Sequence, residues 1–145
     1  MSGKIRPSHR DQYRCLIPMQ TRWSDNDSYG HVNNVVYYSY FDTAVNHNLI
    51  RHGVLDIAHS AVIGLVIETK CTYFSSISFP DSVTAGLKVI NLGNSSARYE
   101  IGLFRNEADE ASALGEFVHV YVERATNRPV SIPDEVREVL QSLAF

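Results

Sequence analysis

Apolar residues recur at two periods along this chain, and the change of period divides it into elements. Tyr13, Cys15, Ile17 and Met19 take alternate positions while Arg14 and Gln20 face the other way, the pattern of a half-buried strand. Pro18 cannot donate to a ladder, so this strand is expected at a sheet edge or beside a bulge. After Gly30 the step becomes three and four: Tyr37, Phe41, Ala44 or Val45, then Asn48 or Leu49, with Val36 and Tyr40 in a neighbouring row. The apolar arc is broad, which predicts a helix enclosed on more than one side. Asn33 is placed to cap that helix and Gly53 to stop it.

Strand patterns follow. Residues 61–74 begin almost wholly apolar and end with Ile67, Thr69, Cys71 and Tyr73 alternating against Glu68, Lys70 and Thr72. Pro80 and Asp81 mark a turn, after which Val83, Ala85, Leu87 and Val89 alternate with polar residues. Leu92-Gly93-Asn94-Ser95 is a second turn signal, and Ala97, Tyr99, Ile101 and Leu103 form the next alternating run. Leu114, Val118, Val120 and Val122 then alternate with Phe117, His119 and Tyr121. Pro133-Asp134-Glu135 opens a short amphipathic helix assigned to 133–145, with acids where the helix dipole favours them. Residues 1–11 read as a mobile lead-in to a single domain covering 1–145.

Strand, long helix, then four consecutive antiparallel strands indicate an α+β fold, a curved antiparallel sheet wrapped around one central helix. Such a sheet leaves edges that need cover, so a homodimer or a dimer of dimers is expected.

Composition narrows the function. A chain of 145 residues holds one core. A net charge of -3 argues against a nucleic-acid binder. Cys15 and Cys71 stand far apart, outside any CxxC, and read as reduced thiols. No apolar run approaches the ~20 residues of a membrane span, and the first residues lack a signal-peptide core. The cytoplasm is therefore the expected compartment. The six histidines are scattered without a recognised ligand spacing, so no metal is expected.

The chemistry concentrates between Arg22 and Tyr38. Asp25, Asp27, His31, Asn33 and Asn34 surround Gly30 and lead straight into the helix. Strand, Asp-x-Asp-x-x-Gly-His-Val-Asn-Asn, tyrosine-bearing helix and four-strand meander resemble the hotdog-fold acyl-CoA thioesterases of the 4-hydroxybenzoyl-CoA thioesterase-like family. The resemblance covers roughly residues 12–125. It implies that Asp27 is the catalytic carboxylate and that the Asn34 backbone N–H binds the thioester oxygen. It also implies a coenzyme A-contacting turn at 92–96. There the free N–H groups and the Ser95 and Ser96 hydroxyls are placed to bind substrate phosphate, with Arg98 or Lys88 adding charge.

These roles make chemical sense on their own. Thioester hydrolysis needs a base or nucleophile beside the carbonyl carbon, and donors aimed at the developing oxyanion. A helix entry supplies free N–H groups and partial positive charge. Asp27 either activates water or attacks directly. His31 is placed to bond the loop or the ligand, or to polarise Asp27. Asn33 and Tyr37 are candidate substrate contacts, whereas Asp25 reads as a structural partner of loop amides or Arg22. Glu68 would add a second carboxylate only if its face points inward. No cofactor is expected, since water is the second substrate and coenzyme A is part of the first.

Two other functions fit the same fold. A hotdog hydratase pairs a carboxylate and a histidine at a different spacing on another loop; here Asp27 and His31 enclose three residues. A catalytically silent acyl-thioester-binding module has little use for a carboxylate at Asp27.

Overall fold

The structure, a computed structural model, describes residues 4–144. It contains strands β1 (Cys15–Gln20), β2 (Val62–Tyr73), β3 (Ser82–Leu92), β4 (Ser96–Arg105) and β5 (Ala113–Glu123), with helices α1 (Val36–Arg51) and α2 (Asp134–Ser142). The five strands form one antiparallel sheet in the order β1-β3-β4-β5-β2. β3, β4 and β5 form a meander. The expected fourth member does not: β2 skips β3 and pairs along β5 instead, from Val62 opposite Glu123 to Tyr73 opposite Ala113. Residues 74–81, longer than a hairpin turn, carry the chain from β2 back to β3.

This order places β1 and β2 at the two edges. Pro18 sits in β1 opposite Thr84, on the edge where a missing N–H costs no ladder bond. β2 is the longer edge, with 12 residues. Its Leu65, Val66 and Ile67 are exposed, Ile67 to 63 %.

The inner face of the sheet carries Ile17, Ala85, Leu87, Tyr99, Ile101 and Phe117, all buried against α1. Helix residues Tyr37, Tyr40, Phe41, Ala44, Val45, Asn48 and Leu49 face this layer. They form a single stripe, while Ser39, Asp42, Thr43 and His47 lie exposed. The helix is thus covered on one side within the chain, not on several as its broad apolar arc suggested. The difference arises because Val36, counted into that arc, lies beside the stripe and stays partly open. Gly115 lies beneath α1, and a Cβ added there would run into the Phe41 ring. Gly53, at φ +73°, ends the helix as expected.

Part of the chain start is hydrogen-bonded to the connection between β4 and β5. Residues 1–3 lie outside the described residues. Arg10, however, donates to the carbonyls of Asn106 and Ala108 at 2.8 Å each, and Ser8 accepts from the Ala111 N–H and the Tyr13 hydroxyl. α2 packs Val136 and Leu140 into the core, with Asp134 and Glu135 in its first turn as predicted. Phe145, the end of the expected helix, lies outside the described residues.

On the outer face, Arg98 donates to Glu116 at 2.8 Å and to Glu68 at 2.9 Å, with Lys70 at 3.3 Å from Glu116 and Lys88 at 3.6 Å from Glu100.

Candidate active site

Residues 22–34 form a loop pinned at several points before α1 begins. Asp25 is its anchor. The carboxylate is 1 % exposed and accepts the Arg22 N–H at 2.8 Å, the Arg22 guanidinium at 2.9 and 3.1 Å and the Tyr40 hydroxyl at 2.7 Å. Burial alone would push this carboxyl up, but the Arg22 N–H, the Tyr40 hydroxyl and the Arg22 charge outweigh it and hold it below its ordinary value. The Asp25 carbonyl also accepts the Asn33 N–H at 2.9 Å. One residue therefore joins the loop to its own far end and to the second turn of α1.

Asp27 opens a tight turn. Its N–H donates to the His31 carbonyl at 2.8 Å, its carbonyl accepts the Gly30 N–H at 3.0 Å, and its Oδ1 accepts the Tyr29 N–H at 2.9 Å. Gly30 takes φ +83°, the left-handed conformation that glycine adopts at no steric cost. Oδ2 has no hydrogen-bond partner among the described residues. The carboxylate is half-buried.

Asn33 does not cap α1 as its position suggested: the N-cap is Val35, without a side-chain cap, and Asn33 instead closes a turn just ahead of the helix. Its Oδ1 accepts the Val35 N–H at 3.1 Å and its carbonyl accepts the Val36 N–H at 2.9 Å. The Asn34 carbonyl is held by the Tyr73 hydroxyl at 2.8 Å. The Asn34 N–H has no partner among the described residues and points from a helix entry, where unpaired donors and partial positive charge coincide.

Asp27, Tyr29, His31, Asn34, Tyr37 and Tyr73 line one open cleft of about 600 Å³, completed by Val32 and residues 74–76. The structure thus brings together Asp27, His31, Asn34 and Tyr37, four of the residues singled out in the sequence, with Asn33 fixing the helix entry behind them. Tyr37 and Tyr73 meet edge to face, 4.9 Å between ring centres, and burial pushes both hydroxyls up, so they remain protonated donors. Burial likewise pushes the Cys71 thiol up to about 11, which leaves it a poor nucleophile at neutral pH. Cys15 and Cys71 are both free thiols.

Other candidates lie elsewhere. Ser95 and Ser96 occupy the β3–β4 hairpin, where the Ser96 carbonyl accepts the Gly93 N–H and the Ser95 carbonyl accepts the Tyr121 N–H. β3 begins beside the 22–34 loop and ends at this hairpin, a span of roughly 30 Å at the usual rise per residue. Within one chain, Ser95, Ser96 and Arg98 do not reach the cleft. Glu68 points outward to Arg98 and adds no second carboxylate. Tyr73 and residues 74–76 were not singled out as site residues; their only sequence signal is a tyrosine and a phenylalanine at a strand end followed by two serines.

Comparison with known proteins decides the family. A family model of the thioesterase-like superfamily matches residues 21–140. The chain belongs to this superfamily. Among solved structures, this thioesterase-like chain is similar to the PA5185 protein of Pseudomonas aeruginosa PAO1, with 53 % identity, a TM-score of 0.93, and 95 % of this chain and 96 % of that one covered. It is similar to the PA2801 protein of Pseudomonas aeruginosa at 29 % identity and a TM-score of 0.79, over 92 % of this chain and 98 % of that one. Slr0204 of Synechocystis, a 1,4-dihydroxy-2-naphthoyl-CoA thioesterase, shares the fold at 13 % identity and a TM-score of 0.79, over 88 % and 96 % of the two chains. The α+β hotdog architecture expected from the sequence is thereby established for this thioesterase-like protein. No helix among its described residues is long and apolar enough to cross a membrane.

Proposed function

We propose that the protein is a thioesterase that hydrolyses acyl-CoA to a free acid and coenzyme A. The observation that carries this reading is the shared cleft: a half-buried Asp27 carboxylate and the unpartnered Asn34 N–H, at the entry of α1, line the same space. With the thioester carbonyl seated between them, its oxygen lies on the Asn34 N–H and its carbon faces Asp27. On a general-base route, Asp27 takes a proton from water, the hydroxide adds to the carbonyl carbon, and the C–S bond breaks as the thiolate regains a proton. On a nucleophilic route, the carboxylate displaces the thiolate to form a mixed anhydride that water then hydrolyses. Both routes build negative charge on the same oxygen, which a preorganised donor stabilises more than the ground state. His31 and Tyr37 are substrate-facing groups in either case, and no cofactor takes part.

The active unit is a homodimer or a dimer of dimers built through the free edge of β2. Antiparallel pairing of two β2 strands at full overlap sets Val62 of one copy against Tyr73 of the other. The 92–96 hairpin of the second copy then approaches the cleft of the first, which gives Ser95 and Ser96 a place on the coenzyme A path. Arg98, shared between Glu68 and Glu116, steadies the strands behind that hairpin.

The test is free-thiol release from short, long and aryl acyl-CoAs, with the signal of Cys15 and Cys71 subtracted. Asp27→Asn should lower turnover by about 10²–10⁴-fold while the protein stays folded. Absence of turnover on every thioester, or turnover indifferent to Asp27→Asn, overturns the reading.

A further inference from the structure

A second chamber lies at the other end of α1. It holds about 280 Å³ and is walled by Leu49, Leu55, Val62 and Val136, with Tyr121 within and Arg124 at the rim. Tyr37 lines the catalytic cleft and Leu49 this chamber; twelve residues of α1 separate them, or about 18 Å. The two spaces are distinct within one chain.

The chamber has one feature that a simple packing defect lacks, a cation without a carboxylate partner among the described residues. Arg124 donates to the carbonyls of Ser60 and Ile57 at 2.8 Å each, and no carboxylate among the described residues forms an ion pair with it. The carbonyls hold the guanidinium in place and leave its charge uncompensated beside an apolar wall.

We propose that this chamber is a binding site for a short aliphatic carboxylic acid, with the carboxylate on Arg124 and the tail among Leu49, Leu55, Val62 and Val136. An apolar space rimmed by one fixed cation selects an amphiphile with an anionic head. The volume sits near the lower end of ligand pockets, typically ~300–1,000 Å³, so it suits a short tail over a long one. The assignment stands on the chamber alone and not on the hydrolase reading, although acids of this class are what thioester hydrolysis releases.

Amide chemical-shift titration of the full chain with octanoate, octan-1-ol and acetate tests it. Octanoate should saturate, with the shifts concentrated at residues 46–64 and 120–136, and should bind more tightly than the alcohol or acetate. Arg124→Gln should weaken octanoate by about tenfold, as loss of a charge-assisted contact does, and leave octanol unchanged. Should that variant fail to fold, the comparison of acid with alcohol on the natural chain still decides the matter. No saturable shift, shifts centred on residues 27–37 and 73–76, or equal affinity for octanoate and octanol each overturns the proposal. None of these outcomes touches the Asp27→Asn assay, which reads turnover.

Discussion

Asp25 and Asp27 stand two residues apart and face opposite demands. Asp25 is enclosed and spends both oxygens on Arg22 and Tyr40, whereas Asp27 keeps one oxygen free toward the cleft. Local sequence foretold the division, because an arginine three residues upstream can reach only the first of the pair. It did not foretell Tyr73, whose role depends on where a distant strand end comes to lie. His119 supplies a prediction at the same scale. It is 1 % exposed, its Nδ1 has no partner among the described residues, and burial pulls its pKa down to about 4. In the unfolded chain the ring titrates near ~6.5, so between these values the unfolded state binds more protons than the folded one. Stability contributed by the neutral ring is then complete above the unfolded pKa and lost as pH falls toward about 4. The loss amounts to roughly 3 kcal/mol across that window. Urea midpoints of the natural chain should fall between pH 7 and pH 4, and those of His119→Phe should fall less; equal slopes would show that His119 is not the group responsible.

The elements themselves were largely legible, because alternation and three-to-four spacing report burial directly. β3, β4, β5 and both helices fall close to where those patterns put them, and Pro18 marked β1 as an edge. Strand order was another matter. Alternation says which residues share a face but not which strand lies alongside, and the passage of β2 to the far side of β5 is invisible in 61–74. With β2 misplaced, residues 73–76 could not be seen to close the cleft opposite Asp27. Packing between elements gives the next prediction. Because Gly115 lies under Phe41, Gly115→Ala forces the ring, and α1 with it, away from the sheet. Such overpacking costs about 1–3 kcal/mol, readable as a lower urea midpoint. A shifted helix also carries Asn34 off its mark, so turnover should fall alongside. An unchanged midpoint would mean that α1 tolerates the added methyl by sliding.

At the scale of the whole molecule, the two sheet edges are unequal. β2 presents 12 residues with Leu65, Val66 and Ile67 exposed, a surface that long soluble edges normally guard with charge. Ile67→Lys should therefore lower the mass seen in sedimentation to that of a single chain, and acyl-CoA turnover should drop with it if the cleft is completed across that edge. A variant that keeps its assembly would place the contact elsewhere. The opposite edge behaves differently. β1 is six residues long and interrupted by Pro18, with one backbone donor missing. A second copy that joins through β2 covers the sticky edge of each partner and leaves two blunt ends outward. In such a pair, polymerisation by strand addition would have nowhere to continue, and a proline that is a minor flaw within one strand would serve as a chain terminator for the assembly.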